Sequence, residues 1–205
     1  MSFRIYIVSF MNKNKKTPGR PRSVKSHQAM LQATLELLGE VGYDAMSIEA
    51  ISARAGVGKS TIYRRYKGKE ELVADAIESI RQEIVIPDTG SFAGDLEALI
   101  QNAAEITLNP TGKQTVAMII ASAASSNSFA QIYWQKYLQP RREAFAVVIE
   151  RAKKRQEIQP DLDADLIFDT MSGIMLYALI FPPANQSWTE YVRRALDLML
   201  KGALS

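Results

Sequence analysis

Two helical runs too short to stand alone, joined by the turn Ala55-Gly56-Val57-Gly58, constrain this chain more than any other feature. Ser47 is placed to cap the first run, Glu49 lies in its first turn, and Ile48, Ile51 and Ala55 recur at helical spacing on one face. Gly56 and Gly58 stop it early. The second run, residues 59–66, turns Ile62 and Tyr66 to one side and Ser60, Tyr63, Arg64 and Lys67 to the other. Helices this short have little stability in water by themselves, so both must be held against a larger body. An outwardly basic second helix after a tight turn suits the DNA major groove, although helix pairs with a glycine turn also occur in ordinary bundles.

The flanking sequence supplies that body. Leu31, Leu35 and Leu38 at i, i+4 and i+7 predict a helix from about Val24 to Val41, with Gly42 at the position of a left-handed cap. Gly68 closes the second short helix, and Lys69 opens a fourth whose apolar residues Leu72, Val73, Ala76, Ile77 and Ile80 carry it to about Ile86. Beyond residues 87–90 the breaks fall at 109–112, 125–128, 159–161 and 182–187, which leaves helices at 91–108, 113–124, 128–156, 163–181 and 189–202. Pro140 is expected to kink the third of these. No period-two pattern or internal repeat is present, so the expected class is all-α with about nine helices.

Composition removes several chemistries. There is no cysteine and only one histidine, His27, so thiolate metal sites, disulfides, cysteine nucleophiles and histidine-based triads or metal clusters are excluded, and no metal or cofactor is expected. The lack of cysteine fits a reducing cytoplasm. The stretch 174–181 before Pro182 is far shorter than the ~20 residues that cross a bilayer, so no membrane association is expected. The apolar stretch near the N-terminus (Ile5 to Val8) is too brief for a secretory core, and Met11 opens a polar, basic run typical of a translation start. Charge is divided along the chain: residues 1–69 hold 13 Lys or Arg against 4 Asp or Glu, whereas the remainder is net −6. A basic end of this kind favours a polyanion partner.

The run LQATLELLGEVGYDAMSIEAISARAGVGKSTIYRRYKGKEEL, residues 31–72, resembles the N-terminal domain of the TetR/AcrR repressor family. The matching features are Gly42-Tyr43, Ser47-Ile48, Ile51, Ala55-Gly56-Val57, Ile62-Tyr63, Tyr66 and Lys69-Glu70-Glu71-Leu72. The acid-free run Lys13 to Lys25, punctuated by Pro18, Gly19 and Pro21, predicts a flexible basic arm (1–23), and the resemblance implies a three-helix DNA-binding domain (24–84, helix-turn-helix at about 47–66) and a larger helical domain for effector binding and dimerisation (85–205). The resemblance also implies that Lys59, Ser60, Thr61 and Tyr63 approach bases or phosphates, with Tyr63 a phosphate anchor, and Arg64 and Arg65 join this set; Ser47 and Lys69, each at a helix start, are either placed for phosphates, because helix N-termini favour anions, or are simple caps. The family often carries His where Arg65 stands and Phe where Tyr66 stands. The expected partners are a palindromic double-stranded operator, a small-molecule effector and a second copy of the chain. A transcriptional activator or an effector-independent DNA-binding protein would share the same grip.

Three further readings bear on function. Pro18-Gly19-Arg20-Pro21-Arg22 resembles the AT-hook core, in which extended arginines enter a narrow minor groove, so Arg20 and Arg22 join the DNA-binding set. ARAGVGKS (53–60) fits a relaxed phosphate-loop pattern, but that motif needs a preceding strand and here follows a helix, so nucleotide hydrolysis is not expected. Met118, Ser122, Phe129, Tyr133, Trp134, Met171 and Met175 lie on the later helices, where each reads as packed core and, taken together, as the wall of an effector pocket. Apolar residues on the last two helices, Ile167, Met171, Ile174, Met175 and Ala178, then Tyr191, Ala195, Leu198 and Met199, suit a helical dimer interface. Deleting residues 1–22 is expected to weaken operator affinity and flatten its salt dependence, as read from binding isotherms at several salt concentrations.

Overall fold

The structure, a computed structural model, describes residues 22–81 and 85–200, and their regular structure is helical. In order these are α1 (Arg22–Ala45), α2 (Ile48–Ala55), α3 (Lys59–Tyr63), α4 (Lys69–Ser79), α5 (Phe92–Thr107), α6 (Pro110–Ser125), α7 (Asn127–Tyr133), a π turn (Trp134–Leu138), α8 (Gln139–Lys154), α9 (Ala164–Ile180) and α10 (Trp188–Leu200). With α7, the π turn and α8 taken as one continuous helix, nine helices are described, as the sequence predicts.

The chain forms two compact units. The first comprises residues 22–81 with 114–138, so the latter part of α6, α7 and the π turn pack with α1–α4. Its core joins Met30, Leu37 and Leu38 of α1, Ile51 of α2, Ile62 of α3, Leu72, Val73 and Ile77 of α4, and Phe129 and Tyr133 of α7. Leu31 and Leu35, expected at the centre of the α1 stripe, are only half-buried; Met30, Ala33, Thr34 and Leu37 take the interior instead. A polar residue is tolerated there because the Thr34 hydroxyl donates to the Met30 carbonyl at 2.7 Å. Tyr43, Phe129, Tyr133 and Tyr137 form an aromatic ladder with successive ring centroids 5.5, 5.6 and 5.4 Å apart.

Three predicted features differ in detail. Gly42 interrupts α1 with φ 75° and ψ 174°, a positive φ as expected but an extended ψ, a region that only glycine occupies readily. Helix α4 ends at Ser79 rather than near Ile86: Ile80 is its exposed cap, and Val85 and Ile86 are non-helical, with Pro87 biasing Ile86 away from helical geometry. The disruption expected from Pro140 is a change of hydrogen-bond register. Proline offers no N–H and its ring clashes with the carbonyl four residues back, that of Lys136, and the helix accommodates this as the π turn Trp134–Leu138.

The second unit comprises residues 85–113 with 139–200. Phe92, Leu99 and Ile100 of α5, Phe145, Val148 and Ile149 of α8, Ile167 and Met171 of α9, and Trp188, Val192 and Leu196 of α10 form its core. Asp95 is fully buried, and its Oδ1 accepts from the Thr89 backbone N–H at 2.6 Å and hydroxyl at 2.8 Å. Arg155 at 3.5 Å and Arg151 at 3.9 Å face its other oxygen, so the burial of this charge is compensated. Ile167, Met171 and Ala178, expected on a pairing surface, are buried in this core because α9 packs on α8 and α10 along that stripe. The exposed apolar residues of α9 are Leu166, Tyr177 and Ile180, with Phe181 at its end.

His27 of α1 lies half-buried in the first unit, its Nε2 2.8 Å from the Tyr66 hydroxyl. Burial first, then the Arg65 charge, lowers its pKa below 6.5, while Asp75 opposes the shift. Its native pKa is below its unfolded value, so its contribution to stability is present above about pH 6.5 and lost as pH falls through the depressed native value. Denaturant unfolding at pH 7 and pH 5 should therefore show a smaller acid-induced loss for His27→Gln than for the wild-type protein.

Candidate nucleic-acid interface

Local sequence fixes the turn. In α2, Ser47 accepts the Ala50 N–H at 3.2 Å, so its hydroxyl is an N-cap in this structure. Gly56 ends the helix at φ 65° and ψ 32°, a left-handed conformation that glycine adopts without steric cost. The Gly56 N–H donates to Ala53 O and the Val57 N–H to Ser52 O, the paired bonds of a Schellman ending. Gly58 then starts α3 in extended conformation with no side-chain cap.

The five residues of α3 are divided as the sequence predicts. Ile62 and, just beyond the helix, Tyr66 are buried, whereas Ser60, Tyr63, Arg64 and Arg65 are exposed and Thr61 is half-buried. Tyr63 keeps 55 % of its surface open to solvent. The outward face therefore offers hydroxyls and guanidinium groups, the donors that contact phosphate oxygens and base edges.

Lys59 and Lys69 of the expected set are engaged within the protein. Lys59 Nζ lies 2.7 Å from Glu49 Oε1, bridging α3 to α2, and this pairing raises the lysine pKa and lowers that of the glutamate. Lys69, expected at a phosphate, directs its ammonium inward: it donates to Tyr43 O at 2.9 Å and Met46 O at 3.2 Å, and sits 4.3 Å from the centre of the Tyr43 ring. It thereby satisfies carbonyls at the end of α1 and in the loop before α2. Arg22 is the first residue of α1, which starts two residues before the expected Val24, so its backbone belongs to the helix and not to an extended arm. Its side chain, Arg20 and the rest of the arm lie outside the described residues.

Sequence reasoning did not find His27, Asp75 or Lys136 as neighbours of this site. Asp75 and Lys136 are 61 positions apart, and no local periodicity signals such a pairing. The candidate effector residues divide between the units. Met118, Phe129 and Tyr133 belong to the core of the first, and Ser122 is fully buried there; Met171 and Met175 belong to the core of the second. Trp134 is on the surface of the π turn.

Residues 30–76 match the family described as "Bacterial regulatory proteins, tetR family", and residues 86–199 match "Tetracyclin repressor-like, C-terminal domain". The chain belongs to the tetR family. This tetR-family protein is 29 % identical over 185 residues to the uncharacterized HTH-type transcriptional regulator YdeS of Bacillus subtilis, covering 90 % of its own length and 92 % of that relative. Among solved structures it is similar to the TetR family transcription regulator SCO0332, with 25 % identity, a TM-score of 0.62, and 88 % and 100 % of the two chains covered. The SmeT–triclosan complex shares the fold at 18 % identity and a TM-score of 0.63, with 88 % and 92 % covered. The tetR-family chain is thus an HTH-type transcriptional regulator, and no described helix is long and apolar enough to cross a membrane.

Arg64→Ala should leave the unfolding midpoint of this tetR-family regulator unchanged while lowering the salt slope of DNA binding by about one phosphate contact. Lys69→Met should lower the unfolding midpoint and leave that slope unchanged. Thermal unfolding and salt-titrated binding together check both outcomes.

Proposed function

We propose that the protein is a dimeric repressor that reads a palindromic operator with α2 and α3 and releases it when a small molecule binds. The observation that carries the DNA-reading part is the exposed face of α3, where Ser60, Tyr63, Arg64 and Arg65 point outward while Ile62 and Tyr66 hold the helix from beneath. Ser60, Thr61 and Arg64 are assigned to bases or phosphates and Tyr63 to a phosphate, with Arg65 reinforcing the backbone contact. Ser47 and Lys59 are at the rim: Ser47 offers its helix N-terminus, and Lys59 reaches DNA by exchanging Glu49 for a phosphate. Residues 24–84 read DNA and residues 85–205 sense and pair. Chromosomal DNA as the target places the protein in the cytoplasm.

Two observations support the effector and the dimer. The Ser122 hydroxyl is fully buried with no hydrogen-bond partner among the described residues, a loss of about 1–3 kcal/mol that a polar ligand group beside α6 would recover. The SmeT–triclosan complex gives a precedent for a small molecule on this fold. For pairing, Leu166, Gly173, Tyr177 and Ile180 follow one another at i, i+7, i+11 and i+14 along α9, and Leu166 and Tyr177 are 63 % and 56 % exposed. Among the described residues nothing lies within 4 Å of where a Gly173 Cβ would stand, so a second helix can come close there. A C2 dimer reading two half-sites implies a palindromic operator whose halves lie about one DNA turn, roughly 34–36 Å, apart.

The test is selection of bound duplexes from random-sequence DNA together with sedimentation. A palindromic sequence bound by a dimer is expected, and Leu166→Lys with Tyr177→Lys should give a monomer whose operator affinity falls at least tenfold. Selected sequences without two-fold symmetry, or a wild-type monomer, would remove the proposal.

A further inference from the structure

We propose that the π turn Trp134–Leu138 is the control element of the reading head, acting through Asp75 as a positioning residue. This rests on the assignment of α3 to DNA made above. From the π turn, the Tyr137 hydroxyl donates to Asp75 Oδ1, and Lys136 Nζ reaches the same oxygen at 2.5 Å while lying 3.5 Å from Glu71 Oε1. One turn earlier, the Tyr133 hydroxyl accepts from Arg81 at 2.9 Å and donates to Glu78 at 3.1 Å. Helix α4 is therefore gripped at two levels by α7 and the π turn.

The grip continues toward the DNA face. Burial raises the Tyr66 hydroxyl well above the ordinary tyrosine range, and the charge of Asp75 adds to the shift, while the Tyr66 ring packs in the same core as Leu72, Val73 and Ile77 of α4. The hydroxyl is in turn 2.8 Å from His27 Nε2. Tyr66 lies just past the end of α3, where its N–H donates to Ile62 O at 3.0 Å and its ring is buried. Polar contacts thus fix the π turn to Asp75 of α4 and the end of α3 to His27 of α1, and the core shared by Tyr66 with Leu72, Val73 and Ile77 joins the two.

The π turn is suited to switching because its register is not the intrinsic preference of the backbone. It persists beside Pro140, which denies the α-helical register its hydrogen bond. Shedding one residue of register would rotate the side chains by about 100° about the helix axis, the α-helical turn per residue. Lys136 and Tyr137 would then leave Asp75, and the face of α4 that packs with Tyr66 would lose its polar anchor.

His27 is the only histidine of the chain, so its ring resonances report on this network without interference. In the full-length protein, Tyr137→Phe and Pro140→Ala are each expected to shift the His27 ring signals. Each should also weaken binding to a duplex selected from random-sequence DNA by about tenfold, the scale of one hydrogen bond to a charged group. The unfolding midpoint should stay within about 5 °C of wild type. Should Tyr137→Phe fail to fold, Lys136→Met alters a half-exposed side chain and carries the same expectation. His27 signals that coincide with wild type in the folded variants would overturn the proposal, and so would shifted signals with affinity unchanged within about twofold. A wild-type protein that selects no duplex would strike the DNA-reading assignment instead, and the His27 signals would still decide whether the coupling exists.

Discussion

The reading head depends on the anchoring of a five-residue helix by the two side chains beneath it. A helix of that length has too few internal hydrogen bonds to offset the entropy of forming it. Its stability is therefore borrowed from Ile62 and Tyr66, both buried against α1, α2 and α4. Because these two face inward, Ser60, Tyr63 and Arg64 must face outward: the 3.6-residue period leaves them no other direction. The position of every candidate DNA contact on α3 follows from a packing decision made on its opposite side.

The cations of the basic N-terminal region have different tasks although the sequence presents them alike. Arg54 pairs with Glu40 at 2.6 Å, Lys59 with Glu49, and Lys69 with two carbonyls and the Tyr43 ring. Arg64 stays on the exposed face. Pairs such as Lys59–Glu49 are exposed and screened by solvent, so they contribute little to stability. Such a pair can be exchanged for a phosphate at small cost, whereas the half-buried ammonium of Lys69 cannot, because its departure would leave carbonyls unsatisfied.

Much of the architecture was legible in the sequence. The Gly-bounded turn, the capping serine and the inward Ile48, Ile51, Ile62 and Tyr66 are local signals, each arising within a few residues, and they locate α2 and α3 closely. The same holds for the loops that separate the later helices. Less legible were the inward face of α1, the end of α4 and the face of α9 that meets solvent. Each depends on neighbours far along the chain: Met30 and Leu37 are buried because α2 and α4 cover them, and Ile167 and Met171 because α8 and α10 do. Hydrophobic periodicity identifies an apolar stripe, but not whether the same chain or a second copy will cover it.

By itself the sequence determined the helical class, the helix-turn-helix and the identity of the residues that α3 presents, because propensity, capping and period are properties of short segments. Only the tertiary structure decided that residues 114–138 pack with α1–α4, that Lys69 faces carbonyls, and that Asp75 is met by Lys136 and Tyr137 from 61 and 62 positions away. The reason is that a long-range polar contact carries no local signature: a solvated aspartate and a clamped one are the same residue until the fold brings their partners together.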